Sequence, residues 1–185
     1  MKAYRKSRIA NRAGFSLVET LVAVAILTTG LTAALSLLSF TLRTVQVTSN
    51  ALVAAHLAAE GVEVIRNIRD ENWLRRDNSA APEPARSWRA GLDKGVYEVQ
   101  YDTELPLTVH SDRLLEISSE GRYCYACAGP ASPAAIFRRK IEIDPDPLPP
   151  GFDTARQLRL RVSVSWTDQI KTREVAVEDI LYDWK

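Results

Sequence analysis

Histidine and cysteine are scarce in this 185-residue chain, with two of each, and methionine occurs once. That scarcity argues against a metal centre. A zinc site needs four ligands, and outside the acids only Cys124, Cys127, His56 and His110 are available, with no second ligand near His56. The eight glycines form no phosphate-cradling loop after a strand, and no hydrolase or nucleotide-binding motif is present. Carboxylates are plentiful, but spacing pairs none of them for acid–base work. The chain therefore reads as non-enzymatic, with no cofactor and no metal expected. Two further absences are local. No proline lies between Phe15 and Trp73, and no charged residue lies in 20–42.

What is present is the composition of a folded protein, 46% hydrophobic and 25% charged. The formal charge of +1 hides an asymmetry. Lys2, Arg5, Lys6, Arg8 and Arg12 crowd the first fourteen residues without an acid, and the remainder is mildly acidic. A basic cluster beside an apolar run is a topology signal rather than a nucleic-acid patch, so no nucleic-acid partner is expected. Such charges stay cytoplasmic and orient the rest outward. Cys124 and Cys127 would then lie in a disulfide-permissive space.

The uncharged run of 23 residues is about 35 Å long as a helix, enough to cross a hydrocarbon core of about 30 Å. It is apolar on all sides, and its Thr and Ser hydroxyls can bond back to the preceding turn. Three readings compete: a cleaved secretory signal, a signal anchor, and a precursor cut before the run. A secretory signal is shorter and ends in a small-residue site beyond the apolar stretch. Here Ala23-Val24-Ala25 has that spacing but sits inside the run.

The junction separates the other two. Gly14-Phe15-Ser16-Leu17-Val18-Glu19, with the apolar residues that follow, resembles the processing motif of the type IV prepilin family. The resemblance implies a membrane peptidase that cuts after Gly14 and N-methylates Phe15, making Glu19 the fifth residue of the mature chain. It also implies a role for Glu19. A carboxylate at the edge of an apolar segment costs a few kcal/mol unless neutralised, paired or kept wet at the interface. In the family it pairs with the amino group of a neighbouring subunit's first residue, here Phe15, and so fixes axial register. Many major pilins carry a mid-helix proline that this chain lacks, which leaves Gly30 as the weakest helix former in the run.

Beyond residue 42 no breaker appears. Val53, Leu57, Gly61, Val64, Ile65 and Ile68 recur at three- and four-residue spacing, predicting an amphipathic continuation docked on the chain's own head. One helix is expected from about Phe15 to about Trp73, ended by the small residues and prolines of 78–84. Residues 58–70 are similar to the corresponding part of minor pilins of the PilV-like kind. From Gly95 the period shifts to two. Strands are expected at 96–105, 114–118, 136–143, 158–166 and 173–180, the last two as a hairpin, with a proline-rich loop at 144–151.

The expected fold is α+β and pilin-like: a long N-terminal helix packed on a C-terminal antiparallel sheet of four to five strands. The expected parts are a leader (1–14), an apolar half-helix (15–42), an amphipathic half-helix (43–74) and a β-rich head (75–185). Cys124-Tyr125-Ala126-Cys127 has C-x-x-C spacing, open to three readings: a short structural disulfide, which is preferred, free thiols, or a metal or redox site. Trp73, Trp88 and Tyr123 to Tyr125 suit core packing or helix-end anchoring better than a binding patch.

The resemblance implies a structural minor pilin or pseudopilin of a type IV pilus or type II secretion-like filament. Its implied partners are other pilin subunits, prepilin peptidase, an ATPase-driven inner-membrane platform and, before assembly, membrane lipid. The precursor would sit in the inner membrane with its head outside the cytoplasm, then in a pilus or pseudopilus. The rival reading is a membrane-anchored binding or adhesin module that never polymerises.

Overall fold

The computed structural model describes residues 14, 16–78, 87–125, 127, 136–145, 156–168 and 171–183. The basic leader up to residue 13, Phe15, the helix-ending segment beyond residue 78 and most of the proline-rich loop lie outside these. One helix, α1 (Leu17–Asn78), is followed by seven strands: β1 (Gly95–Glu98), β2 (Thr108–Val109), β3 (Glu116–Ile117), β4 (Tyr123–Cys124), β5 (Phe137–Asp144), β6 (Gln157–Asp168) and β7 (Lys171–Tyr182). The chain divides into two compact units, Met1–Gln46 and Val47–Lys185.

In the N-terminal unit the helix begins because Ser16 caps it. The Ser16 hydroxyl accepts from the Val18 N–H at 3.2 Å, and the Ser16 carbonyl accepts from the Thr20 N–H at 3.1 Å. The run that follows keeps its polar atoms satisfied within the helix. Thr32, Ser36, Ser39 and Thr41 each donate to the carbonyl four residues back at 2.9 Å. Its large apolar side chains are exposed instead, Leu27 at 70% and Leu35 at 54%. This is the inverse of a water-soluble surface. The helix has a window long and apolar enough to cross a membrane.

In the C-terminal unit, α1 packs on a five-stranded antiparallel sheet of order β2-β1-β5-β6-β7. Ala54, Leu57, Ala58, Val62, Ile65 and Ile68 are buried, as are the inward residues of β6, Leu158, Leu160, Val162, Val164 and Trp166. The close approach depends on Gly61. A β-carbon there would stand 2.9 Å from Val162 Cγ1 and 3.0 Å from Ile141 Cδ1. At one side of the contact the Arg66 guanidinium donates to Asp179 Oδ2 on β7 at 2.9 and 3.0 Å. Near the C-terminal end of α1, Asn72 Nδ2 donates to the carbonyls of Trp88 and Ala90 and ties that segment to the helix.

The β6–β7 hairpin forms as the alternation predicts, paired from Gln157↔Tyr182 to Asp168↔Lys171. The helix runs five residues past Trp73. The strand expected over 96–105 is cut short, because β1 ends at Glu98. The Gln100 N–H donates to Thr103 Oγ1 at 2.7 Å and the Thr103 N–H donates to the Gln100 carbonyl at 3.0 Å, closing a turn where the apolar alternation continues. The strand expected over 114–118 shrinks to β3, which pairs with β4 in a separate two-stranded sheet. Cys124 therefore lies in a strand, between the strands expected over 114–118 and 136–143. Trp73, Trp88 and Tyr125 are core residues, 3%, 3% and 8% exposed.

Candidate processing and assembly site

Gly14 lies outside α1 and is exposed. A β-carbon there would meet nothing within 4 Å, so packing among the described residues gives no reason for glycine. Ser16 follows as the cap, and Glu19 falls in the first helical turn. That position suits a carboxylate, because the exposed N–H groups of the first turn carry partial positive charge. Glu19 is also the only charged residue between Gly14 and Arg43. Among the described residues it has no ion-pair partner.

Farther along the chain the described polar groups are largely matched. Glu98 is 2% exposed on the β1 face away from α1. Its Oε1 accepts from the Ser111 N–H at 2.8 Å and the Ser111 hydroxyl at 3.1 Å, and its Oε2 accepts from Arg113 Nε and Nη2 at 2.9 and 2.7 Å. Burial alone would raise its pKa. The Ser111 N–H, the Arg113 side chain and the Arg113 N–H together outweigh burial and hold it below the ordinary carboxyl value. Arg139 is wholly buried beneath α1. Its Nη1 donates to the Leu57 carbonyl at 3.0 Å and to Glu60 Oε1 at 3.1 Å, and its Nη2 donates to the Val99 carbonyl.

Cys124 and Cys127 are joined by a disulfide, with Cα atoms 5.7 Å apart. Between them Tyr125 donates from its N–H to Gln100 Oε1 at 2.7 Å and from its hydroxyl to the Arg139 carbonyl at 3.2 Å. Burial raises the Tyr125 hydroxyl pKa. Two polar cavities of about 340 and 380 Å³ share Gln100, Asp102 and Tyr125 as lining. Their guanidiniums are already engaged, Arg113 by Glu98 and Arg122 by Glu120. Among the described residues no group of three or more His, Cys, Asp or Glu is placed to hold a metal ion. His56 is exposed. His110 faces Glu98, 3.5 Å from its Oε1.

The N-terminal segment, from before Gly14 into the apolar helix, matches the family model described as the prokaryotic N-terminal methylation motif, over residues 9–35. The chain is type IV prepilin-like. The match takes in Gly14, Phe15 and Glu19 and none of the head. No curated protein and no solved structure matches the chain. The motif implies processing by prepilin peptidase and assembly with other pilins, and it marks a class of structural subunits rather than enzymes. With the apolar N-terminal helix it fits a membrane-anchored precursor. Sequence reasoning missed Glu98 and Arg139. Arg139 had a signal, since it falls in register with Phe137, Ile141 and Ile143 on the inward side of β5.

Proposed function

We propose that this prepilin-like chain is a minor pilin or pseudopilin, cut after Gly14 and assembled into a filament through α1. The observation that carries this is Glu19, a lone acid in the first turn of an apolar helix, with no ion-pair partner among the described residues. Cutting after Gly14 removes the five basic residues of the leader and exposes a new amino group at Phe15. In a stack of parallel helices, the amino group of one subunit supplies the charge that Glu19 of the next lacks. A mismatched stack leaves the carboxylate buried and unpaired, which costs about 3–5 kcal/mol, so the pair selects axial register.

Transfer from bilayer to filament exchanges one apolar surrounding for another, so packing and this ion pair favour assembly rather than removal from water. Work from an ATPase-driven platform supplies extraction. The head stays outside the cytoplasm, and the disulfide-permissive surroundings there suit Cys124 and Cys127. The missing mid-helix proline and residues 58–70 support minor rather than major status.

The test is recovery in sheared filaments. Tagged wild-type chain co-fractionates with filaments, whereas Glu19→Val inserts into the membrane normally but is depleted from them. Equal recovery of both chains overturns the register role, and absence of the wild-type chain from every filament overturns the reading itself.

A further inference from the structure

The Cys124–Cys127 bridge differs from a purely structural disulfide in its loop and in its surroundings. Only Tyr125 and Ala126 stand between the two cysteines in the chain. The stability that a cross-link confers falls as its loop shortens, and that stability is also the factor by which folding shields the bond from reduction. Both cysteines line the polar cavity of about 380 Å³, whose rim residues Tyr101, Glu120 and Arg122 are exposed. The bond therefore sits at an opening to solvent rather than within the apolar cluster. With Asp102 and Glu120 against Arg122, the described lining is net negative, which disfavours small anionic thiols.

The two sulfurs are not equivalent. Cys124 is 4% exposed and held in β4, opposite Glu116 of β3, whereas Cys127 is half-buried and belongs to no strand. Thiol–disulfide exchange needs an incoming thiolate to reach one sulfur while the other departs. Cys127 is the sulfur open to approach, and Cys124 is the leaving thiol anchored in the sheet. Tyr125, next to Cys124, ties this turn to the core. Its N–H donates to Gln100 Oε1 and its hydroxyl to the carbonyl of Arg139, whose side chain holds Leu57 of α1. Opening the bridge therefore releases one end of a segment that is bonded to the arginine beneath α1.

We propose that Cys127 is a thiol–disulfide exchange site, the sulfur through which a dithiol protein opens and recloses the bridge in the folded head. One thiolate of the dithiol bonds to Cys127 Sγ as the Cys124–Cys127 bond breaks, and Cys124 departs as a thiolate. The second thiolate then attacks the first sulfur of its own protein, releasing Cys127. Two electrons pass to the bridge, the two thiol protons of the donor end on Cys124 and Cys127, and the donor becomes a disulfide. The reverse sequence recloses the bridge. The proposal concerns the head alone and depends neither on cutting after Gly14 nor on filament assembly.

The test uses the full chain in detergent with dithiothreitol as the probe dithiol, trapping free thiols by alkylation and reading them by mass. Reduction of the folded chain should proceed within about tenfold of the rate for the urea-unfolded chain, and oxidised dithiothreitol should reclose the bridge. A bridge reached only by unfolding is slowed by the folding equilibrium, a factor of about 10³ or more. That slower rate, or failure to reclose, overturns the proposal. Single-cysteine chains identify the sulfur. Cys124→Ser, which leaves Cys127, should form a mixed disulfide with dithiobis(nitrobenzoate) about tenfold faster than Cys127→Ser, which leaves Cys124. Equal or reversed rates overturn Cys127 as the site. The wild-type arm stands by itself if either variant fails to fold.

Discussion

Arg139 on β5 donates to the main-chain carbonyl of Leu57 on α1 at 3.0 Å, across a contact from which water is excluded. A carbonyl inside a helix is normally matched by the N–H four residues on, here that of Gly61. The second donor reaches Leu57 beside Gly61, where a β-carbon would stand 3.4 Å from the Arg139 Cδ. One guanidinium thereby ties together α1, through Leu57 and Glu60, and the segment after β1, through Val99.

Arg139→Ala should lower head stability by about 3 kcal/mol, because it takes the Arg139 donor from the buried Val99 carbonyl and from Glu60, takes the second donor from Leu57, and removes the stem of a fully buried side chain. Glu60→Gln should cost about 1 kcal/mol or less, since Glu60 is partly exposed and the two carbonyl contacts survive. Urea unfolding of the purified chain in detergent, followed by tryptophan fluorescence from the buried Trp73, Trp88 and Trp166, measures both.

Gly61→Ala and Gly30→Ala should differ in outcome although both replace a helical glycine. Alanine gains up to about 1 kcal/mol of helix propensity. At Gly61 the added methyl meets Val162 and Ile141 at 2.9 and 3.0 Å, and overpacking of that kind costs about 1–3 kcal/mol. At Gly30 it meets nothing within 4 Å. The same unfolding assay should therefore show a destabilised head for Gly61→Ala and an unchanged head for Gly30→Ala.

Acid should weaken the head through Glu98. Its folded pKa lies below the ordinary 4.5, so folding favours the ionised form. The stabilisation is fully present above that value and is lost as pH falls through the lower folded pKa. Melting temperature measured from about pH 6 down to about pH 3 should fall more steeply for wild type than for Glu98→Gln, which is less stable at neutral pH and has no such proton to bind.

Reduction of the Cys124–Cys127 disulfide, or its replacement by Cys124→Ser with Cys127→Ser, should cost about 2 kcal/mol, as expected for so short a loop. Amide exchange should rise at Tyr125, whose N–H is held by Gln100. An unchanged unfolding midpoint with unchanged exchange contradicts a structural role for the bridge.

These residues also show how much the sequence made legible. The apolar run by its length, and the amphipathic stripe through Leu57 and Ile65 and the β6–β7 alternation by their periods, each identify an element, and the structure contains all three. The alternation through Tyr97, Val99 and Tyr101 misled, because a side-chain bond from Thr103 to the Gln100 backbone bends the chain without altering the hydrophobic pattern. β3 and β4, at two residues each, are too short to show a period, which hid the strand position of Cys124. Buried Glu98 and Arg139 have ordinary surface residue types, and their burial comes from long-range partners. At the N terminus the residue types themselves are unusual in combination, and the motif through Gly14, Phe15 and Glu19, which the family match spans, needs no fold to be seen.

The measurement that bears most directly on the central reading is the mass of the mature N terminus, taken from chain purified out of a host that contains prepilin peptidase. A first residue of N-methylated Phe15, with Met1 to Gly14 gone, is the predicted result, and Gly14 replaced by a bulky residue should leave the leader in place. An intact leader on the wild-type chain contradicts the account.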